Sequence, residues 1–333
     1  MQNNRQIVIT VGDEAGVGPE IILKALASKE IPKKINILIV GNKKNLISKY
    51  LILKSLGIEK IVDPTQLNIE DLKISVTNVT EPSSDTGNAS FLYLKHAIEI
   101  VRKSPNSALV TSPICKKLWN TSGHNYSGQT ELLSEICESP NVGMLFTAKS
   151  PFTGWRFNTL LATTHIPIRE VPHKLNKNLI NSKLDLLYKF CKQFKEKPSL
   201  QIAGLNPHAG EEGILGTEEV DFMNQAIQHW KIKNPSVNLS HLISPDSCWI
   251  SSAKAWRDNN TNAPDGILAL YHDQGLIPVK IISLNYSVNT TIGLPIVRTS
   301  PDHGTGFDIA DKGIAQCQSM IEAIKTANDL LNN

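Results

Sequence analysis

Stretches that read as buried strands alternate along this chain with stretches that read as amphipathic helices, and turns containing glycine or proline separate them. No other feature constrains the fold as strongly, because strands joined through helices pair side by side in a largely parallel sheet. The pattern predicts strands over Gln6–Val11, Ile35–Val40, Lys73–Val79 and Ala108–Thr111. It predicts helices over Pro19–Ser28, where proline takes the first turn, and over Thr86–Lys103. Beyond residue 130 the rhythm changes. Asn141–Ala148 and Phe157–Thr164 read as a hairpin around Lys149-Ser150-Pro151. A helix over Asn178–Phe194, a strand over Gln201–Leu205 and a helix over Glu218–Lys231 follow. Late strands are predicted over Gly266–Tyr271 and Ile292–Arg298, and an amphipathic helix over Cys317–Leu331 closes the chain. The expectation is an α/β fold with a domain boundary near residue 130. No internal repeat or low-complexity linker interrupts it.

With 333 residues, 41% of them hydrophobic, the chain can build two domains with sizeable cores. Thirty-four basic and 31 acidic residues leave a net charge of +3, which argues against a broad nucleic-acid-binding face. It leaves room for a small anionic substrate held by a few local cations. The five cysteines are odd in number and form no CxxC pair, so reduced and mostly buried thiols are expected. Met1 to Arg5 run straight into the strand-like Ile7-Val8-Ile9 with no signal-peptide pattern, and no apolar run approaches the ~20 residues that cross a bilayer. The expected setting is the cytoplasm, with no membrane partner.

The turn Gly12-Asp13-Glu14-Ala15-Gly16-Val17-Gly18 joins a strand to a helix and can present backbone N–H groups to an anion. It fails as a dinucleotide fingerprint, because Ile21 occupies the third glycine position, and no Gly-Lys-Ser/Thr follows for a Walker loop. A tight turn with no ligand fits equally well. His165, His208 and His272 each lie just past the end of a predicted strand, where open α/β sheets gather ligands. Three imidazoles can hold a divalent cation and leave a position open for substrate, although no local spacing links these three. Lys280, Asn289 and Arg298 flank the strand around Ile292, and Lys116 follows Thr111-Ser-Pro-Ile-Cys. The two lysines and the arginine can clamp a phosphate or simply be solvated surface charges. Asp302-His303-Gly304-Thr305-Gly306-Phe307-Asp308 is a polar, glycine-rich segment suited to acid–base work or to capping the last helix.

Taken together, Gly12–Glu20, Leu109–Lys116, Ser127-Gly-Gln-Thr-Glu131, Leu161–His165, Gly204-Leu-Asn-Pro-His-Ala-Gly210 with Gly216-Thr-Glu-Glu219, Tyr271-His-Asp-Gln-Gly275 and Asp302–Gly306 resemble the 4-hydroxythreonine-4-phosphate dehydrogenase family in order and over nearly the whole chain. The resemblance implies two α/β/α domains around a cleft, as in isocitrate and isopropylmalate dehydrogenases: residues 1–130 with 303–333, and residues 131–302. It implies a homodimer with shared active sites, in which His272 completes a neighbour's metal site. His165, His208 and His272 become ligands of zinc, cobalt or magnesium. Gln129, Thr130, Lys280, Asn289 and Arg298 become substrate-binding, and His303, Gly304 and Asp308 become part of an adenosine-binding loop for NAD or NADP. Gly12, Asp13, Gly16, Lys116 and Asp246 are further candidates.

The reaction so implied is oxidation of 4-phosphohydroxy-L-threonine to 2-amino-3-oxo-4-phosphooxybutanoate. That product loses carbon dioxide to give 3-amino-2-oxopropyl phosphate in pyridoxal phosphate biosynthesis. One departure stands out: Gln129 occupies a position where the family usually carries histidine. An amide hydrogen-bonds but shuttles no proton at neutral pH. That keeps a sibling activity in view, on erythronate or threonate 4-phosphate.

Overall fold

The computed structural model describes residues 5–32, 35–258 and 262–332; residues 1–4, on which part of the N-terminal reading rests, lie outside them. In chain order the strands are β1 (Gln6–Thr10), β2 (Asn36–Gly41), β3 (Ile69–Asp71), β4 (Ser107–Thr111), β5 (Gly143–Lys149), β6 (Arg156–Leu161), β7 (Ser199–Ala203), β8 (Asn238–Ile243), β9 (Gly266–Ala269), β10 (Val288–Ile292) and β11 (Val297–Pro301). Contacts divide the chain into one unit of Met1–Pro140 with Leu294–Asn333 and a second of Asn141–Gly293.

The first unit orders its strands β3-β2-β1-β4-β11, all in parallel. Ile7, Val8 and Ile9 are wholly buried in succession. Neighbouring residues of a strand point to opposite faces, so both faces of β1 are covered. Helices supply the cover. Gly18–Leu26 carries Pro19 in its first turn, where no backbone N–H is needed. Ser84–Arg102 opens with a reciprocal capping box between Ser83 and Thr86. Gln318–Leu330 buries Met320, Ile321, Ala323, Ile324 and Ala327, and its Ala323 carbonyl accepts from Thr299 Oγ1 on β11 at 2.9 Å.

The second unit orders its strands β10-β5-β6-β9-β7-β8. β5 runs antiparallel to both β10 and β6, whereas β6, β9, β7 and β8 run parallel. The expected hairpin is therefore present, closed by Ser150 N donating to the Trp155 carbonyl at 2.8 Å. Phe146, Phe157, Trp256, Leu276 and Val279 share its core.

Two predicted strands need correction. Lys73–Val79 forms no strand: Lys73 takes a left-handed φ of 52° and turns the chain after β3. The stretch predicted over Ile292–Arg298 is two strands, β10 and β11, broken at Gly293 (φ 89°), where a Cβ would meet the Asn141 carbonyl oxygen at 2.3 Å. At that break the chain passes from one unit to the other.

Candidate active site

In the second unit, β6, β9, β7 and β8 are parallel, so the segments after them leave from one edge of the sheet. His165 follows β6, His272 follows β9, His208 follows β7 and Asp246 follows β8. The rings of His165 and His272 lie 5.5 Å apart in one chain. Two imidazoles sharing one cation at Zn–N distances of about 2.0–2.1 Å need a separation of this order. This pair comes together without a neighbouring subunit. Asp273 Oδ1 lies 2.7 Å from His272 Nδ1. A carboxylate there fixes the imidazole tautomer with the proton on Nδ1 and leaves the Nε2 lone pair available. His208 stands apart from the pair, and no group of three metal-binding side chains is assembled among the described residues. Ser244 donates to Asp246 and holds its carboxyl below the ordinary range, with His208 a lesser cause.

The motif glycines are explained by close approach. Gln274 is buried; it accepts from Leu270 N and donates to the Gly204 carbonyl, both at 2.7 Å, tying the end of β9 to the end of β7. A Cβ on Gly275 would meet Leu161 Cδ2 at 2.5 Å, so the helix His272–Ser283 needs glycine there to lie on β6. Around His208 the backbone is left-handed for five residues, from His208 (φ 52°) to Glu212 (φ 58°), four of them not glycine. Each such residue costs about 1–2 kcal/mol, so the turn must be held from outside. Glu219 holds it. This buried carboxylate accepts from Leu205 N, Asn206 N and Asn206 Nδ2, all at 2.8 Å. A Cβ on Gly210 would meet Glu219 Oε2 at 2.8 Å, and one on Gly216 would meet the Asn206 amide at 2.3 Å. Glu219 belongs to the Gly216-Thr-Glu-Glu219 motif, but a motif alone does not show that its carboxylate reaches back to Leu205 and Asn206. Lys280 lies eight residues beyond His272 on the same helix, about 12 Å along its axis. Asn289 sits on β10 with a buried Oδ1 that has no hydrogen-bond partner among the described residues.

Gln129, Thr130, Lys116 and Arg298 belong to the first unit. Arg298 is buried on β11. Its Nη2 donates to Thr111 Oγ1 at 2.7 Å and to Gln129 Oε1 at 3.1 Å, while Gln129 Nε2 donates to the Ser112 carbonyl at 3.1 Å. Burial pushes the Arg298 pKa down to about 10, which leaves the guanidinium charged at neutral pH. Gln129 and Thr130 open the helix Gln129–Ile136, whose first N–H groups favour an anion. Lys116 lies against the residue before them: a Cβ on Gly128 would be 3.6 Å from its Nζ. Thr111 and Ser112, to which the sequence alone assigns no role, complete this network.

Gly12, Asp13 and Gly16 do not form an open cradle. A Cβ on Gly12 would meet the Pro113 carbonyl oxygen at 2.5 Å, and one on Gly16 the Thr305 carbonyl oxygen at 2.6 Å. The turn is filled by its own chain. Desolvation by burial raises the Asp13 carboxyl above its ordinary value. Asp13 Oδ2 and Ser112 Oγ are buried without hydrogen-bond partners among the described residues. His303, Gly304 and Asp308 are exposed, and no heavy atom lies within 4 Å of a Cβ built on Gly304, so this side of the loop is open to a bulky group such as a nucleotide. All five cysteines are unpaired, and burial pushes the Cys248 thiol up to about 12. Among the described residues no helix is long and apolar enough to cross a membrane.

Residues 33–327 match the family described as pyridoxal phosphate biosynthetic protein PdxA. A 4-hydroxythreonine-4-phosphate dehydrogenase from Synechococcus sp. (strain RCC307) is 47% identical over 330 residues, 98% of this chain and 99% of that protein. A crystal structure of 4-hydroxythreonine-4-phosphate dehydrogenase from Klebsiella pneumoniae superposes with a TM-score of 0.82 at 30% identity, covering 99% of each chain. A terephthalate 1,2-cis-dihydrodiol dehydrogenase from Burkholderia xenovorans, 22% identical with a TM-score of 0.62 and covering 98% of each chain, shares the fold.

Proposed function

The chain belongs to the PdxA family of pyridoxal phosphate biosynthetic proteins, and from that premise we propose that it oxidises 4-phosphohydroxy-L-threonine with NAD or NADP, in the cytoplasm and as a homodimer with shared active sites. The product, 2-amino-3-oxo-4-phosphooxybutanoate, is a β-keto acid that decarboxylates to 3-amino-2-oxopropyl phosphate. The observation that carries this reading is the buried Arg298 between Thr111 and Gln129 at the head of the helix Gln129–Ile136. That arrangement suits a phosphorylated substrate: a fixed cation, helix N–H groups and the nearby Lys116 all favour a phosphate. The unpaired cysteines favour a reducing compartment.

His165, His208 and His272 would hold a divalent cation such as zinc, cobalt or magnesium, and the 5.5 Å spacing of two of the rings supports this. When bound, such an ion supplies Lewis acidity that lowers the pKa of the substrate hydroxyl. His272 keeps one tautomer through Asp273, and Glu219 keeps the His208 turn in place. Arg298 and Lys116 orient the phosphate end. Lys280 and Asn289 offer an ammonium and an amide oxygen to the rest of the substrate. The open side of the His303–Asp308 loop would take the adenosine end of the dinucleotide, whose nicotinamide accepts the hydride.

NAD(P)H formation should be measured with 4-phosphohydroxythreonine beside erythronate 4-phosphate, before and after chelation. The expected result is turnover of the first substrate, loss on chelation and recovery with zinc, cobalt or magnesium. Preference for erythronate 4-phosphate would move the activity to the sugar-acid sibling. Full turnover in demonstrably metal-free protein would sink the histidine assignment.

A further inference from the structure

We propose that Lys49 is a positioning residue for the dinucleotide, acting through Asp311 to preset the loop from His303 to Gly313. Lys49 lies on the helix Lys43–Ser55 and is 2% exposed, yet it is a lysine at a position where an apolar side chain would pack at lower cost. Its Nζ sits 2.6 Å from Asp311 Oδ2 and 2.8 Å from Oδ1. Asp311 holds a left-handed φ of 59°. A buried ammonium aimed at one strained loop residue 262 positions away serves the loop more than the helix.

The remaining contacts agree. Val17 N donates to the Thr305 carbonyl at 2.8 Å, and Gly16 is a glycine because Thr305 occupies the space of its side chain. Lys24 Nζ donates to the Gly313 and Ala315 carbonyls at 2.8 and 2.9 Å, and Ala315 N donates to Glu20 Oε1 at 2.9 Å. The segment Gly12–Glu20 thus acts as the bed on which the loop lies. Anchored at Thr305, Asp311 and Gly313–Ala315, the loop turns His303, Gly304 and Asp308 outward. A loop already ordered before its ligand arrives loses less freedom on binding, and its affinity is higher for that reason alone.

The proposal rests on the reading of this loop as the dinucleotide site, and the test separates the two. Lys49→Met removes the ammonium and leaves Asp311, which reaches solvent; it also takes a positive charge from the neighbourhood of the buried Asp13 and Glu14, so the variant's Tm is measured beside its affinity. Dissociation constants for NADH and NADPH, read by fluorescence, and amide hydrogen exchange over residues 305–313 without dinucleotide are compared with the parent. Lys49→Met is expected to raise the dinucleotide Kd and KM about tenfold and to speed exchange in the loop. It should leave kcat at saturation and the substrate KM within about twofold, and Lys49→Arg should recover much of the affinity. An unchanged Kd in Lys49→Met overturns the proposal. If His303→Ala and Asp308→Ala weaken binding while Lys49→Met does not, the loop is the dinucleotide site and only the positioning role is lost. If none of the three weakens binding, the reading of the loop itself falls. Should Lys49→Met fail to fold, Asp311→Asn measured in the same way decides between these outcomes.

Discussion

Gln129 uses both ends of its amide: the oxygen accepts from Arg298 Nη2 and the nitrogen donates to the Ser112 carbonyl. A neutral imidazole can do the same, one nitrogen for each partner, so Gln129→His should keep substantial activity. Protonating that imidazole would set a second cation beside the buried guanidinium. Its pKa should therefore fall below the ordinary value of about 6.5, and the acid limb of kcat/KM should appear below that pH. Gln129→Ala leaves an Arg298 N–H without its acceptor and should raise the substrate KM about tenfold, the scale of one charged hydrogen bond. A limb above about pH 6.5 would contradict this geometry. So would Gln129→Ala matching the parent in both kcat and KM.

Within the first unit, the helix Lys43–Ser55 and the turn after β1 share a second buried carboxylate, Glu14. Asn45 Nδ2 and Tyr93 OH donate to it at 2.8 and 3.1 Å, yet desolvation by burial lifts its pKa to about 7. The folded protein therefore holds this proton where an unfolded chain, titrating near 4.5, has lost it. The stability Glu14 contributes is complete below about pH 4.5 and is lost as the pH rises toward 7, on the order of 3 kcal/mol across the window. Glu14→Gln should flatten that fall in Tm between pH 5 and 7 as followed by calorimetry; an unaltered slope would show that Glu14 is ionised throughout. The same region shows what the sequence made legible. β1, β2 and β4 are buried on both faces, and their unbroken apolar runs announced them. The alternation over Leu72, Ile74 and Val76 was equally plain, and these residues are half-buried, but the positive φ of Lys73 prevents pairing. The break at Gly293 was hidden because a glycine among apolar residues resembles a bulge in a single strand. That His165, His208 and His272 each follow a strand was legible from the sequence. The Lys49–Asp311 pair could not, since nothing in the composition links residues so far apart.

At the scale of the assembly, the proposed sharing of active sites can be decided by exchange between subunits. His165→Ala, His208→Ala and His272→Ala should each abolish activity as homodimers if all three bind the ion. Suppose two of these histidines come from one chain and the third from its neighbour in a two-fold dimer. Mixing two variants then restores one intact site per hybrid only when one lesion affects the donated histidine and the other a resident one. Two of the three pairwise mixtures meet that condition, and the mixture of the two resident lesions does not. Random exchange makes half the dimers hybrid, each with one working site of two, so recovery should reach roughly a quarter of the parent activity. Within one chain the rings of His165 and His272 already stand 5.5 Å apart, which makes their mixture the informative one. If it stays silent while both mixtures with His208→Ala recover, His165 and His272 are the resident pair. If it recovers, one of the two is donated across the interface, and the partner mixture that also recovers identifies which. If exchange is verified by mass spectrometry and no mixture recovers, one chain supplies all three histidines and the shared-site proposal is wrong.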